Sequence, residues 1–372
     1  MRISPADGLL FLVMRLLKSL DKRKRDVKYF DPSSVNRILV VSSTAIGDTL
    51  LSTPAIKTVR ERYPHADIVA HFNIKNMELF DNNPHINGII PYYGGYKKFF
   101  GTVSKFRKHK FDLALIFHGN EPQASPTAYL SGIRFIMKLP NNGEYRFLLS
   151  NTEPVMSWLD FGHAIEQRLK VAELAGCVAS GLPRMELPLR GEGENAVDAF
   201  LDGSNITPSD RLVGFQVGAS TLSRMWFADR FIELGRRLIH ELGDIQIVIT
   251  GSPQEYGYCK KIADAIGTKA FVSAGKIPLR YVPSLVRRLR VLVTGDTGIM
   301  HMAIATGTPI VALFAVSDSQ RSGPYYDKEK HRVIQKEKTC DPCTSKKCTY
   351  QRCMENISVE EVFCELMEVI ER

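Results

Sequence analysis

VLVTGDTGIMHMAIATGTPIVALF, residues 291–314, carries the pattern that decides the fold. Val291 to Thr294 is an apolar, β-branched run with the length of a buried parallel strand. Gly295-Asp296-Thr297-Gly298 turns the chain, Ile299 to Thr306 reads as a short helix ended by Gly307, and Pro309 to Phe314 is a second buried strand. Strand, tight glycine turn, helix and strand make one βαβ unit. The turn leaves free N–H groups at a helix N-terminus, where partial positive charge suits a phosphate or another anion. The stretch has neither the dinucleotide GxGxxG pattern nor a Walker lysine. Asp296 and Thr297 fit equally well as plain N-caps, so both readings stay open.

The same alternation extends upstream. Strands are expected at Leu212–Gln216, Ile245–Thr250 and Lys269–Val272, and helices at Phe227–Leu242, Glu255–Ile266 and Leu279–Leu289. An earlier series repeats the theme. It has strands at Arg37–Ser42, Asp67–Phe72, Gly88–Pro91 and Phe111–Phe117, with a helix after the Ser43–Asp48 turn through about Tyr63 and another over Lys97–His109. Strands alternating with helices imply doubly wound parallel sheets whose ligand loops lie at the strand carboxyl ends. The fold class is therefore α/β, two Rossmann-like halves with a ligand cleft expected between them. A helix over His163–Ala175 followed by a Gly- and Pro-containing stretch marks the boundary. This gives an N-terminal extension (1–30), a first domain (31–180), a second domain (181–355) and a final helical segment (356–372). Ser358 with Glu361 three residues on is a capping box for that last helix.

A chain of 372 residues with 44% hydrophobic and 24% charged residues has ample core for two domains and excludes disorder. The net charge of +9 favours anionic partners, either nucleotides, phosphorylated lipids or a membrane surface. No nucleic-acid-binding motif occurs and the basic residues are spread, so nucleic acid is not an expected partner. No run of eighteen apolar residues is present, which excludes an ordinary transmembrane helix. Residues 9–20, LLFLVMRLLKSL, are instead a short apolar helical segment followed by Lys22-Arg23-Lys24-Arg25. Basic charge after the apolar run is the reverse of a secretory signal. It suits the interface of an anionic bilayer, or else a helix docked on the protein itself. A chain starting near Asp31 is expected to fold, since the first strand begins at Arg37.

Three loops carry the chemistry. Asp48 follows Gly47 just after the first strand, where a carboxylate is placed either to take a proton from a hydroxyl or to cap the next helix. In the loop Gln216–Trp226, Ser220 and Thr221 offer hydroxyl donors and Arg224 a fork that matches a diphosphate, with Trp226 as a core anchor. Glu255 either faces ribose hydroxyls or begins a helix. His301, in the first turn after GDTG, is either a ligand contact or a packing residue. Cys340, Cys343, Cys348 and Cys353 place four thiols in fourteen residues, enough for structural zinc in an S4 site. Reduced thiols or a disulfide formed on isolation are the other readings. Seven cysteines, an odd number, with three of them scattered, suit the cytosol better than a secreted scaffold.

With these stretches in hand, the sequence resembles glycosyltransferase family 9, the ADP-heptose:lipopolysaccharide heptosyltransferases, from about Arg37 onward. The resemblance rests on RILVVSSTAIGDTLLSTPAIKTVRERYP with NNPHINGII, on GASTLSRMW, and on VTGDTGIMHMAIATGTPIVALF with SDSQRSGPY. It implies GT-B architecture with a C-terminal helix crossing back to the first domain. It also implies that Asp48 is the general base and that Ser220, Thr221 and Arg224 hold the donor's phosphates. Asp296, Thr297, Gly298 and His301 would line the diphosphate and the transferred sugar. Arg224 stands where the family commonly has lysine, and Phe227 where proline is common. The expected activity is inverting transfer of heptose from ADP-heptose to a lipopolysaccharide core or lipid A acceptor. No DxD-type metal site is present, so no catalytic cofactor is expected. The expected location is cytoplasmic, peripheral on the inner face of the plasma membrane. A GT-B enzyme using another nucleotide sugar, an epimerase included, and a non-catalytic nucleotide-sugar-binding protein are the alternatives.

Overall fold

The computed structural model describes all residues except 1–4, 120, 122, 142, 208, 341, 342, 344–347 and 372, together with the side chains of all but 5, 6 and 158 among them. The chain divides into two compact units, Met1–Met185 and Glu186–Arg372, five residues beyond the boundary read from the sequence.

The first unit runs α1 (Pro5–Leu20), β1 (Arg37–Ser42), α2 (Ile46–Arg62), β2 (Asp67–Asn73), β3 (Gly88–Tyr92), α3 (Phe99–His109), β4 (Leu113–His118), α4 (Ala124–Leu130), β5 (Phe135–Lys138) and α5 (Ala164–Glu173). Among the described residues its sheet has five strands in the order β3-β2-β1-β4-β5, every pairing parallel. The order reverses between β1 and β4. Helix α2 is buried on most sides, from Gly47 through Val59, and contains Pro54. Proline cannot donate to the carbonyl four residues back. Thr53 Oγ1 donates to that carbonyl, Leu50 O, at 2.7 Å, and so the helix continues through the proline.

The second unit runs α6 (Gly191–Asp202), β6 (Arg211–Gln216), α7 (Ala228–Leu242), β7 (Ile245–Thr250), α8 (Tyr256–Ile266), β8 (Ala270–Val272), α9 (Val282–Arg288), β9 (Val291–Gly295), α10 (Gly298–Thr306), β10 (Ile310–Phe314), α11 (Ser319–Ser322), β11 (Arg332–Gln335) and α12 (Val359–Ile370). Its sheet order among the described residues is β11-β10-β9-β6-β7-β8, again all parallel, with the reversal between β6 and β9. The expected helix at Leu279–Leu289 divides into a 3₁₀ turn, Leu279–Tyr281, and α9. Pro283 accounts for this, because proline is tolerated only in a helix's first turn. Trp226 is the core anchor expected of it, 2% exposed, with Nε1–H donating to Ile357 O at 2.9 Å. Half of the capping box at α12 forms: Ser358 Oγ accepts from Glu361 N–H, while the Glu361 carboxylate pairs with Lys336 Nζ at 2.8 Å. Val362, Phe363 and Leu366 of α12 belong to this unit's core.

The N-terminal segment is built into the first unit. Met14 is fully buried in a cluster with Ala128, Tyr129, Tyr145 and Leu148, and Leu10 and Phe11 pack on its edge. Arg25 is 3% exposed. Its Nε donates to Asp21 Oδ2 at 2.6 Å, its Nη1 donates to the carbonyls of Ile133 and Arg134, and its guanidinium lies 4.6 Å above the Tyr129 ring. The basic cluster after α1 is therefore partly structural, and the dispensability expected of residues 1–30 does not follow from this packing. Met14→Ala should cost about 2–5 kcal/mol of stability in chemical denaturation, the usual range for a buried methionine. A loss below about 0.5 kcal/mol, the scale of a surface change, would show α1 to be loosely attached.

Candidate active site

Ligands of doubly wound sheets bind outside the strand carboxyl ends, where the strand order reverses. In the first unit that point lies between β1 and β4, and Asp48 sits beside it in the first turn of α2. The pairing of these strands slips between Val41 and Ser42, so that Val41 is level with Ile116 but Ser42 with His118. Bulges of this kind re-aim side chains, and here the slip brings His118 up to the loop that leaves β1. Thr44 Oγ1 lies 2.7 Å from Asp48 Oδ2 and 2.8 Å from His118 Nδ1. Asn76 Nδ2 donates to Thr44 O at 3.0 Å and pins that loop. Ala45 N–H donates to Asp48 Oδ2 at 3.4 Å, so the capping reading of Asp48 is also partly realised.

Arg168 of α5 reaches the other carboxylate oxygen. Its Nη2 donates to Asp48 Oδ1 at 3.1 Å, its Nε to Ser52 Oγ at 3.1 Å and its Nη1 to Ala164 O at 2.8 Å. His118 Nε2 stands 3.6 Å from the same Oδ1. Burial is the largest influence on the Asp48 carboxyl and works upward. The charges of His118 and Arg168, with the hydrogen bonds from Thr44 and Ala45, outweigh it and hold the group below the usual carboxylate range. Asp48 keeps 29% of its side chain exposed, so the ionised group remains open to an incoming hydroxyl.

Sequence reading found Asp48 but missed Thr44, His118 and Arg168. Arg168 had a signal. It stands on the same helical stripe as Ile165, Val171 and Ala172, all buried, and a cation on an apolar face needs a partner.

In the second unit, Gln216 is level with Thr250 on one side and Thr294 on the other. The loops after β6, β7 and β9 thus leave the sheet at one height, around its switch point. Gln216 accepts from Thr250 Oγ1 at 2.7 Å and donates to Gly218 O at 2.8 Å, fixing the start of the first loop. Arg224 Nη1 lies 3.4 Å from Asp296 Oδ2, which joins the first loop to the third. Gly295 is required there: a Cβ on it would fall 2.7 Å from Arg224 O. Thr294 and Thr297 hydroxyls are 3.1 Å apart, and Thr297 is the N-cap residue of α10. Glu255 lies against Gly218, where a Cβ would meet its Oε1, and accepts from Ser252 N–H at 2.7 Å and Ser252 Oγ at 2.8 Å. Seven of the eight expected donor residues, Ser220, Thr221, Arg224, Glu255, Asp296, Thr297 and Gly298, therefore lie on the three neighbouring connections that leave one sheet edge. Ser220 is exposed on the first of them. His301 is 4% exposed on α10 and presents little surface.

The cysteine-rich segment lies partly outside the described residues. Cys340 is exposed, Cys343 and Cys348 half-buried and Cys353 buried, with Cys353 Sγ 3.4 Å from Thr339 N. Among the described residues no three His, Cys, Asp or Glu side chains converge as metal ligands.

The chain matches the family model described as Glycosyltransferase family 9 (heptosyltransferase) over residues 137–354, more than half its length. It is 25% identical to lipopolysaccharide heptosyltransferase 2 of Salmonella typhimurium over 320 residues, 80% of this chain and 87% of the relative. Two solved structures share the fold. One is a family 9 glycosyl transferase of Veillonella parvula, with a TM-score of 0.76 at 24% identity, covering 90% of this chain and 97% of that one. The other is the ADP-heptose lipopolysaccharide heptosyltransferase II of E. coli, with a TM-score of 0.74 at 23% identity, covering 90% and 98%. Two Rossmann-like units in tandem are the composition of the GT-B class.

If these loops hold the ADP moiety that the sequence leads one to expect, Gly295→Ala, by pushing the Arg224 backbone away, should weaken calorimetric binding of ADP about tenfold, or ~1.4 kcal/mol. Unchanged affinity would mean that the contact of the first and third loops does not shape the ligand site.

Proposed function

The chain belongs to glycosyltransferase family 9, and on that premise we propose that it is an inverting heptosyltransferase using ADP-heptose as donor and a lipopolysaccharide inner-core glycolipid as acceptor. The observation that carries this reading is Asp48, held ionised at the switch point of the first sheet by Arg168, Thr44 and His118. An acceptor hydroxyl is a weak nucleophile until its proton is taken. Its oxygen forms the new bond to the anomeric carbon from the face opposite the nucleotide. The bond from that carbon to the diphosphate oxygen breaks, its electron pair leaves with ADP, and the proton passes to Asp48. Charge growing on the diphosphate meets Arg224 and the free N–H groups at the start of α10, donors fixed before the reaction begins. Catalysis in this reading uses no metal, and zinc on the cysteine segment has no part in it. ADP-heptose and lipopolysaccharide are the substrates named for the relatives, and the +9 net charge suits a phosphorylated acceptor.

Asp48→Asn should lower kcat by about 100-fold or more, the usual scale for loss of a general base, with ADP-heptose affinity little changed. Retention of most of the turnover would reduce Asp48 to a helix cap.

The reading also places the enzyme on an anionic bilayer. Helix α1 buries Met14 and half-buries Leu10 and Phe11, and exposes the opposite stripe: Leu9 is 65% exposed, Leu12 66%, Leu16 61% and Leu20 67%. Exposed Lys22, Lys24 and Lys28 follow it. An apolar stripe with a basic flank is the form of an interfacial helix, and no described helix is long and apolar enough to cross a membrane. Changing Leu9, Leu12, Leu16 and Leu20 together to serine leaves the packed face intact. It should abolish cosedimentation with phosphatidylglycerol-containing vesicles while the melting temperature stays near that of the parent. Equal cosedimentation would remove this contact from the proposal.

A further inference from the structure

A general base must be ionised before its substrate arrives and must hold its oxygens in a fixed direction. Two neighbours of Asp48, His118 and Arg168, meet these requirements unequally. An ionised carboxylate only accepts hydrogen bonds, so the Thr44 hydroxyl hydrogen points to Asp48 Oδ2. The bond between that same hydroxyl oxygen and His118 Nδ1 then needs its hydrogen from the imidazole. His118 therefore carries a proton on Nδ1. It adds a positive charge near Asp48 only when Nε2 is protonated as well, and the ordinary histidine pKa is about 6.5. Nε2 is 3.6 Å from Oδ1, too far for a good hydrogen bond. Arg168, by contrast, is charged at every working pH. Among the described residues, Arg168 and His118 are the charged or titratable groups paired with Asp48, one from α5 and one from β4.

Arg168 is 1% exposed, an uncommon setting for a cation. Its fork is fully directed: one nitrogen to Asp48 Oδ1, one to Ser52 Oγ and one to the carbonyl of Ala164. Ser52 in turn donates to Asp48 O at 2.8 Å and lies 3.0 Å from Ser42 Oγ. The guanidinium thus grips the carboxylate directly and, through Ser52, the backbone of the same residue and the end of β1. A lysine could supply the charge but not this three-way geometry.

We infer that Arg168 is a positioning residue for the reaction: it keeps the Asp48 carboxylate ionised across the working pH range and fixes the direction of its oxygens. This rests on Asp48 being the base. The sign of the pH effect follows. Turnover needs the ionised carboxylate and falls as pH drops through the Asp48 pKa, which the arginine's charge depresses. Loss of that charge raises the pKa, and the acid limb of kcat moves to higher pH.

The test is the pH dependence of kcat and donor KM for the full chain and for Arg168→Gln, Arg168→Lys and Asp48→Asn, with folded fraction measured by circular dichroism. For Arg168→Gln the acid limb should move to higher pH, and the plateau kcat per folded molecule should fall about 10- to 100-fold. Its donor KM should change less than about threefold, as expected when only the reacting step is touched. Arg168→Lys should restore the acid limb to its parental position but not the plateau. An unmoved acid limb in Arg168→Gln, with loss of activity matching loss of folded protein, would make Arg168 a stabilising ion-pair partner only. Where Arg168→Gln does not fold, a full parental plateau in Arg168→Lys overturns the inference, and a lowered plateau with an unmoved limb supports it. Asp48→Asn separates the two levels. An active Asp48→Asn enzyme removes the base itself. An inactive one, with an unmoved limb in Arg168→Gln, removes only the role of Arg168.

Discussion

Among the described residues every pairing in both sheets is parallel, and the rest of the structure depends on that constraint. Parallel strands must be joined by crossovers, which cover both faces of a sheet and leave its carboxyl edge as the place where loops accumulate. Where strand order reverses, the two loops leaving adjacent strands diverge to opposite faces and open a crevice. Here one reversal holds Asp48 and His118, and the other holds the Arg224 and Asp296 loops. The polar groups of these sites stand at the ends of largely apolar strands or in the loops and first helical turns that follow them, so the rigid core and the open edge are one arrangement.

The two edges differ in how they handle charge. In the first unit a buried arginine meets a partly exposed carboxylate. Pairing outweighs the burial that would otherwise favour the neutral acid, and the result is a carboxylate already ionised. In the second unit a half-exposed arginine and a helix N-terminus gather positive potential at the carboxyl edge of the sheet, where the proposed reaction puts its leaving diphosphate. A glycine at 295 allows the two loops there to touch through their backbones, a contact any side chain would prevent.

Much of this was legible in the sequence because its physical origin is local. Continuous apolar runs gave β1, β6, β7, β9 and β10, and glycine-rich turns after them gave the loops that carry Asp48, Arg224 and Asp296. The edge strands β5 and β11 were not read. Each has four residues, and β11 shows burial only at Ile334, so periodicity is too short to register. Arg168 and Asp48 are 120 residues apart, and no local pattern encodes such a pairing beyond the misplaced cation on an apolar stripe. The N-terminal segment shows the same division. Its apolar run was plain, but which face is buried depends on Tyr129 and Tyr145, more than a hundred residues downstream. Of its basic cluster, Arg25 turned inward to Asp21 and to the carbonyl of Ile133, a contact 108 residues distant.

In the proposed reaction heptosyl transfer proceeds without metal, and protein groups meet both the proton and the leaving charge. The most direct measurement incubates the purified chain with ADP-heptose and a lipopolysaccharide inner-core acceptor in excess EDTA, following nucleotide and acceptor by mass spectrometry. The reading requires one ADP released for each acceptor that gains one heptose. Release of ADP with no gain by the acceptor, or transfer that begins only when magnesium is restored, would contradict it.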